Sequence, residues 1–212
     1  MLRNRVDAGV ALGKKLAQYA DRTDVIVLGL PRGGVPVAAA VADALHAPLD
    51  VFLVRKLGVP GHEEFAFGAL ASDGAIVLNR QAVDTLGLRP AQIQQVVADE
   101  EQELVRREQA YRDDRPFPHI KGKTVIIVDD GLATGSTMYA AVIALAELAP
   151  GRIVVAAPVA SPEAIESLRS VADSVVVLAA PDPFLAVGAW YDHFDQVSDD
   201  EVRALLAERM AP

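Results

Sequence analysis

Two adjacent carboxylates, Asp129 and Asp130, follow an apolar run at residues 125–128, and a loop of small residues follows them. A short apolar run of this kind is typical of a buried strand, and carboxylates at its end are costly to bury unless they are paired. Paired carboxylates suit vicinal hydroxyl groups or a hydrated Mg²⁺ ion as binding partners. The two acids therefore predict a polar ligand at the end of this strand.

The loop after the acids has the composition of a phosphate-binding turn. A helix that begins near Gly135 or Ser136 would direct its backbone N–H groups and its positive dipole end at one point. Thr134, Ser136 and Thr137 add hydroxyl donors, and Gly135 permits close approach of the backbone. The loop therefore suits a phosphate monoester, and a phosphate with a neighbouring diol describes a ribose 5-phosphate.

Two other structures would use similar residues. A Walker phosphate loop is excluded, because its glycine spacing and its lysine are absent. A capped helix start after a buried strand, with the acids satisfied by backbone N–H groups, would need no ligand. The whole run from strand to helix favours the ligand-binding interpretation.

A second anion site is predicted at residues 31–34, Pro-Arg-Gly-Gly, between a predicted strand and a predicted helix. Its glycines let backbone amides approach an anion, and Arg32 can bind one with two hydrogen bonds. The next predicted strand ends in Arg55 and Lys56, at the same edge of the sheet. Three cations at one edge predict a multiply charged anion, although a tight turn without a ligand is the alternative. A dinucleotide loop fits less well, because Gly-x-Gly-x-x-Gly is not matched.

The elements that must position these residues follow from the alternation of apolar and Ala-rich segments. Runs that are apolar on both faces are typical of strands buried in a parallel sheet. We predict strands at 24–30, 50–56, 124–130, 152–160 and 174–180, and helices at 35–46, 136–148 and 162–171. This order predicts a doubly wound α/β fold with a mainly parallel five-stranded sheet and ligands at the carboxyl ends of its strands.

The remaining segments are predicted to belong to the same domain, which spans residues 1–212. Several glycines and a proline predict a flexible loop and hairpin at 57–78, and the composition of 90–113 predicts a long, mostly solvated helix. The N-terminal segment predicts an amphipathic helix. Its inward positions are predicted to be Val6, Val10 and Leu16, with Leu12 left open.

Composition excludes several classes of function. The chain contains no cysteine, and its four histidines lack metal-ligand spacing. A net charge of −9 without a basic stripe argues against nucleic acid as a partner. No apolar run approaches the ~20 residues that span a bilayer, and the N-terminus lacks a signal-peptide block. We therefore expect a cytoplasmic protein with no membrane partner.

The run VIIVDDGLATGST resembles the phosphoribosyl-pyrophosphate (PRPP) motif of the type I phosphoribosyltransferases. The resemblance implies that Asp129 and Asp130 hold the ribose 2′- and 3′-hydroxyls. It implies that the 5′-phosphate is bound by Ala133, Thr134, Gly135, Ser136 and Thr137. The Pro-Arg-Gly-Gly turn matches the family's pyrophosphate loop. By this resemblance the pyrophosphate is bound by Pro31, Arg32, Gly33, Gly34, Arg55 and Lys56.

The segment VRKLGVPG resembles the run that precedes the mobile catalytic loop of adenine phosphoribosyltransferases. By this resemblance residues 57–68 are a flap that closes over PRPP. Ala133 stands where enzymes that salvage 6-oxopurines carry an acid, and where the adenine enzymes have alanine. The adenine enzymes use a glutamate on the mobile loop, so the resemblance offers Glu63 and Glu64 as catalytic residues. With Lys56, Asp129 and Asp130 they form the catalytic set that it implies.

The segment PDPFLAVGAWYDHFDQV resembles the part of hypoxanthine-guanine enzymes that caps the purine. It implies a small hood at 180–195, with Phe184 or Trp190 stacked on the base. An edge strand with aromatic packing is the alternative. The resemblance also implies a Mg²⁺ cofactor, held directly or through water by Asp129, Asp130 and Asp192. Because the two resemblances point to different purines, the acceptor stays open.

These observations predict a Mg²⁺-dependent phosphoribosyltransferase of nucleotide metabolism. It would transfer the phosphoribosyl group of PRPP to a nitrogen acceptor, a nucleobase in the first instance, and release pyrophosphate. A PRPP-sensing or nucleotide-sensing binding protein without catalysis is the alternative. A phosphohydrolase fits less well, because no third acid is placed near the pair. The long helix and the hairpin need a partner surface, and family members are commonly homodimers, so we expect a homodimer.

Overall fold

The computed structural model describes residues 1–60, 62–112 and 115–209, without the side chains of residues 63–65 and 73. The strands of the central sheet are β1 (Val25–Gly29), β2 (Leu49–Val51), β6 (Thr124–Val128), β7 (Arg152–Val159) and β8 (Ser174–Ala179). All five are parallel, in the order β2-β1-β6-β7-β8. The predicted doubly wound α/β class and the five-stranded parallel sheet are confirmed.

Helices cover both faces of this sheet. They are α1 (Arg5–Lys15), α2 (Gly34–Leu45), α3 (Arg80–Thr85), α4 (Pro90–Arg112), α5 (Ser136–Glu147), α6 (Pro162–Arg169) and α7 (Asp199–Ala207). Side chains along β6 alternate between two cores, since Ile126 joins the cluster with α1 and α2 while Ile127 joins the cluster with α5 and α6. Each strand is therefore buried on both sides, as its apolar run predicts.

The prediction of a single strand at 50–56 is wrong, because Phe52 and Leu53 separate two strands that belong to different sheets. Residues 49–51 stay in the main sheet as β2, and β3 (Val54–Val59) begins a separate antiparallel sheet with β4 (His62–Ala71) and β5 (Ile76–Leu78). Ser72 Oγ accepts the Leu53 N–H at 3.0 Å, and Phe52 is fully buried, so the break is part of the core. Residues 57–59 and 62–68 are thus strands of a hairpin rather than an irregular loop before one.

The orientation predicted for the N-terminal helix is half wrong. Leu12 and Leu16 are fully buried, but Val6 and Val10 are 53% and 42% exposed. The buried face of α1 also contains small residues, and a Cβ added to Gly9 would lie 2.6 Å from Val37 O of α2. In the first turns of α1, the inward face is therefore set by close contact between the backbones of α1 and α2. The large apolar side chains Val6 and Val10 lie outside that face.

Two contacts between polar side chains fix the long helix α4 against the domain. Arg112 Nε donates to Asp50 Oδ1 at 2.8 Å, and the Tyr111 hydroxyl donates to Asp199 Oδ1 at 2.5 Å. These contacts join the end of α4 to β2 and to α7, a helix that the sequence did not predict. None of the helices in the described part of the chain is long and apolar enough to cross a membrane.

Candidate active site

The acids Asp129 and Asp130 lie directly after β6, at the carboxyl edge of the sheet. Asp129 Oδ1 accepts the backbone N–H of Asp130 at 2.8 Å. Asp130 Oδ2 accepts from Arg5 Nε of α1 at 2.8 Å, and Asp130 O accepts from the Tyr191 hydroxyl at 2.6 Å. The strand end therefore holds two carboxylates whose positions are fixed by an amide, a guanidinium and a phenol.

Burial and mutual proximity control the protonation of this pair. Burial raises the pKa of Asp129 well above its ordinary value, and the charge of the adjacent Asp130 raises it further. Burial also raises the pKa of Asp130, while the hydrogen bond and the charge of Arg5 oppose that rise. The pair resists full ionisation on its own, so a ligand that donates hydroxyl hydrogens or supplies positive charge is favoured there.

The loop after the acids has the backbone geometry that a phosphate-binding turn requires. Gly135 has a φ of +69°, and α5 begins at the next residue, Ser136. The start of the loop is held by a neighbouring loop, because the Ser161 hydroxyl donates to Ala133 O at 2.6 Å. Thr134 Oγ1 donates to Ser136 Oγ at 3.2 Å, which gathers the hydroxyl groups at the helix N-terminus. This geometry places donors and the positive helix end together, as anion binding requires.

The turn at residues 31–34 packs directly onto the two acids. A Cβ added to Gly33 would lie 2.1 Å from Asp130 Oδ2, and one added to Gly34 would lie 2.7 Å from Val128 O. The Pro31–Arg32 peptide bond is cis. Arg32 is exposed, and its side chain has no hydrogen-bond or ion-pair partner among the described residues. The structure thus brings the predicted pyrophosphate turn and the predicted ribose-binding acids together.

A cavity of about 310 Å³ opens beside this turn and is rich in guanidinium groups. It is lined by Arg32, Arg55, Arg106 and Arg107, together with Thr137 in the first turn of α5. Carboxylates neutralise part of this charge, since Glu103 Oε1 accepts from Arg107 Nε at 2.7 Å and both Glu103 oxygens accept from Arg106. The hydrogen bonds from Arg106, and then that from Arg107, hold the pKa of Glu103 at about 2. Asp199 also lines the cavity, and of the four arginines only Arg32 has no carboxylate partner among the described residues, so the cavity suits an anion at Arg32.

Arg55 and Lys56, two cations of the predicted pyrophosphate set, have different partners in the structure. Arg55 lines the cavity but donates to Glu100 Oε2 of α4 at 2.6 Å. Lys56 Nζ donates to Ser136 Oγ at 2.8 Å, so Lys56 lies against the loop at the start of α5. This placement follows from β3 leaving the main sheet and packing against α4 and α5. A role for Lys56 at the pyrophosphate stays a prediction.

The segment predicted as a hood lies over the loop after the acids. A Cβ added to Gly131 would lie 2.3 Å from Val187, in a short helical turn at Val187–Trp190. Phe184 and Trp190 are partly buried and pack against a small cluster that includes Tyr191. The buried Trp190 Nε1 has no hydrogen-bond partner in the part of the chain that the structure describes. Both aromatic residues thus pack within the protein, and base stacking stays a prediction.

The predicted metal set is only partly brought together. Asp129 and Asp130 are adjacent, but Asp192 is exposed in the segment that pairs with the N-terminus, where its backbone N–H donates to Leu2 O. Within the described ranges no group of three or more His, Cys, Asp or Glu residues could hold a metal ion. Glu63 and Glu64 lie on the backbone of β4, but their side chains lie outside the described part of the structure.

Several site residues were not predicted from the sequence. Arg5 and Tyr191 reach the acids from opposite ends of the chain, and no local motif marks either of them. Arg106 and Arg107 belong to a helix whose charges suggest a solvated face. Ser161 is the exception, because a serine before a proline is typical of a helix N-cap, and Ser161 is the N-cap of α6.

Comparisons with known proteins identify the family of the chain. Residues 3–179 match the family model described as "Phosphoribosyl transferase domain". The chain is 45% identical over 203 residues to two Mycobacterium tuberculosis proteins, "Putative phosphoribosyl transferase Rv0571c" of strain H37Rv and "Putative phosphoribosyl transferase MT0597" of strain CDC 1551. Each alignment covers 96% of this chain and 46% of the relative, so the chain spans about half the length of these curated relatives.

A solved structure resembles the whole chain. The crystal structure of TT1426 from Thermus thermophilus is 44% identical, has a TM-score of 0.89, and the match covers 99% of both chains. The family match and these identities over nearly the full chain show that the protein belongs to the phosphoribosyltransferase domain family.

Proposed function

We propose that the protein is a phosphoribosyltransferase that transfers the 5-phosphoribosyl group of PRPP to a nitrogen acceptor. A nucleobase is the first candidate for that acceptor. The observation that carries the proposal is the convergence of three features at the carboxyl ends of β1 and β6. These features are the Asp129–Asp130 pair, the phosphate loop at the start of α5, and the Pro31–Gly34 turn packed against the acids. Membership of the family supports the same activity.

In the proposed reaction the bond between C1′ of PRPP and the pyrophosphate oxygen breaks, and a bond between C1′ and the acceptor nitrogen forms. The nitrogen gives up a proton, and pyrophosphate leaves with the electron pair of the broken bond. Asp129 and Asp130 would hold the ribose hydroxyls and place negative charge beside the cation-like C1′. The loop at residues 133–137 and Lys56 would fix the 5′-phosphate, so the protein contributes mainly positioning and electrostatics.

The cavity arginines supply the other half of this electrostatic arrangement. The Arg32 side chain has no carboxylate partner in the described chain, so its guanidinium is available for the leaving pyrophosphate. Arg106 and Arg107 line the same cavity from α4. The interaction of positive charge with the leaving group strengthens as the bond to C1′ breaks, which lowers the barrier rather than only tightening binding.

The donor set fits Mg²⁺ as a cofactor. Two adjacent carboxylates, without a third acid among the described residues, agree with the preference of Mg²⁺ for one or two carboxylates completed by water and substrate phosphates. Asp129 and Asp130 would hold the ion, directly or through water, and the bound ion would neutralise charge on the pyrophosphate. The homodimer, the cytoplasmic location and a place in nucleotide metabolism are further proposals, which rest on the sequence and the family.

The decisive experiment incubates the protein with PRPP, Mg²⁺ and a pool of purine, pyrimidine and other nitrogen acceptors, and detects ribonucleotides by mass spectrometry. Asp129→Asn keeps an oxygen for the Asp130 amide but replaces an acceptor with a donor. Its turnover should fall by about 30- to 1,000-fold, which corresponds to ~2–4 kcal/mol in the barrier. The exposed Asp84→Asn is the matched control and should behave as wild type.

The outcomes separate the two functions that the sequence leaves open. A ribonucleotide that forms with wild type and is reduced as expected in Asp129→Asn supports the transferase and names its acceptor. A loss below threefold would contradict the role of Asp129. PRPP binding, measured by thermal shift in the same samples, without any product would instead support a PRPP-sensing protein.

A further inference from the structure

Arg5, in the first turn of α1, contacts two other parts of the molecule. Its Nε donates to Asp130 Oδ2 at 2.8 Å, and its Nη1 donates to the backbone carbonyl of Asp195 at 2.6 Å. Its guanidinium also lies 3.8 Å from the centre of the Phe194 ring. One side chain therefore connects the N-terminal helix, the candidate catalytic acid and the segment after β8.

This ion pair differs from the surface pairs of the protein. The side chains of Arg5 and Asp130 are 12% and 14% exposed, whereas those of Arg3 and Asp7, at the start of the same helix, are 75% and 50% exposed and 3.9 Å apart. Exposed pairs contribute little, but a largely desolvated pair with additional hydrogen bonds has one well-defined geometry. The buried pair therefore holds Asp130 in one defined position, at the cost of desolvating Arg5.

The contacts of Asp130 are directional. Oδ2 is held on one side by Arg5 and lies against the backbone of Gly33 on the other, where a Cβ would be 2.1 Å away. The backbone carbonyl of the same residue is held by the Tyr191 hydroxyl. No N–H group in the described chain donates to Oδ1, and the Asp129 carboxyl is the other charged group that interacts with this side chain. A ligand hydroxyl could therefore supply the donor that Oδ1 lacks.

We propose that Arg5 is a positioning residue, which fixes the Asp130 carboxylate by its Oδ2 so that Oδ1 receives a ribose hydroxyl of PRPP. The inference rests on the proposed function and adds a residue from outside the recognised motifs. The planar guanidinium serves two acceptors and an aromatic ring at once, which a lysine ammonium reproduces only in part. Arg5 acts through Asp130 and does not itself touch the substrate.

The test is a double-mutant cycle read out as the dissociation constant of PRPP, measured calorimetrically with Mg²⁺ present. The variants are Arg5→Met, Asp130→Asn and the double variant, with Arg3→Met as the matched exposed control. Arg5→Met should weaken PRPP binding at least tenfold in the wild-type background and less than twofold when Asp130→Asn is already present. Arg5→Lys should recover part of the affinity, and Arg3→Met should change it less than twofold.

A purely structural role for Arg5 gives a different pattern. It would lower the unfolding temperature and weaken PRPP binding by the same factor with or without Asp130→Asn, which would overturn the inference. Unchanged affinity in Arg5→Met would also overturn it. If Arg5→Met does not fold, Arg5→Lys is carried through the same cycle with the same two criteria. A wild-type protein that fails to bind PRPP would refute the proposed function and this inference together, whereas binding by wild type isolates the role of Arg5.

Discussion

The buried ion pair between Arg112 and Asp50 allows a quantitative prediction about what holds α4 in place. The two side chains are 3% and 5% exposed, and Arg112 Nε lies 2.8 Å from Asp50 Oδ1. Arg112 also donates to Glu108 Oε1 at 2.9 Å and to the backbone carbonyl of Val51. Arg112→Met would leave Asp50 buried without its cation, and Val51 O without that donor.

Removal of one partner of a buried pair costs about 3–5 kcal/mol, because an uncompensated charge remains in the core. For a chain of this length the unfolding temperature should fall by roughly 2–4 °C for each kcal/mol lost. The measurement is chemical and thermal unfolding followed by circular dichroism. Arg169→Met is the matched control, since its pair with Glu166 is exposed and 3.8 Å long, and it should change stability by less than about 0.5 kcal/mol.

The loss in Arg112→Met should also depend on pH in a defined direction. Burial already raises the pKa of Asp50, and Arg112 opposes that rise, so the variant raises this pKa further. A carboxyl group whose pKa is higher in the folded than in the unfolded state destabilises the folded state when it is ionised, and this cost disappears when it is protonated. The stability deficit should therefore be largest at neutral pH and should shrink as the pH falls through the folded pKa of Asp50 towards its unfolded value.

A double replacement supplies the internal check. Asp50→Val together with Arg112→Met removes both charges, and apolar replacements of buried pairs are often nearly neutral. The double variant should therefore recover more than half of the loss in Arg112→Met. A deficit in Arg112→Met no larger than in Arg169→Met, or no recovery in the double variant, would refute the reasoning.

Two further predictions concern PRPP binding, and calorimetry measures both. Lys56→Met removes the ammonium that donates to Ser136 Oγ at 2.8 Å, so affinity should fall roughly 10- to 100-fold, as expected for a hydrogen bond to a charged group. Equal affinity in this variant and in the exposed control Lys121→Met would show that Lys56 does not serve the phosphate. Gly33→Ala would place a Cβ 2.1 Å from Asp130 Oδ2 and should abolish measurable binding. Gly87→Ala, which strains a turn at φ +61° but meets nothing within 4 Å, should keep it, and retained binding in Gly33→Ala would mean that the acid can move without loss.

The parts of the fold that sequence predicts well are those with strong local signals. The strand that ends at Val128 is apolar on both faces, and the glycine and hydroxyl residues after it form the loop that their types indicate. The prediction of one strand at 50–56 is wrong, because the buried Phe52 lies between two strands, and the apolar pattern does not distinguish this interruption from a continuous strand. Local pattern thus identifies elements and loops but does not show where a strand changes sheets.

The residues that sequence could not predict are those whose partners are distant. The amphipathic pattern predicts Val6 in the core, yet the inward face of α1 follows from close approach at Gly9, which depends on α2. Arg5 meets Asp130 over 125 positions of chain, and no local pattern marks a contact at that separation. The sequence therefore predicts the position of the acids and of the two loops beside them, but not the side chains that orient the acids.

The N-terminus and the segment after β8 are joined by main-chain hydrogen bonds, and this has a consequence for biosynthesis. Leu2 N–H donates to Trp190 O, and the N–H groups of Asp192 and His193 donate to Leu2 O and Arg3 O. Contacts between such distant positions form late, because the loop that they close must first be ordered. During translation the acids and both candidate anion loops emerge from the ribosome before the residues that anchor Arg5. The nascent chain should therefore acquire the geometry of the candidate site only once residues 190–195 have been synthesised.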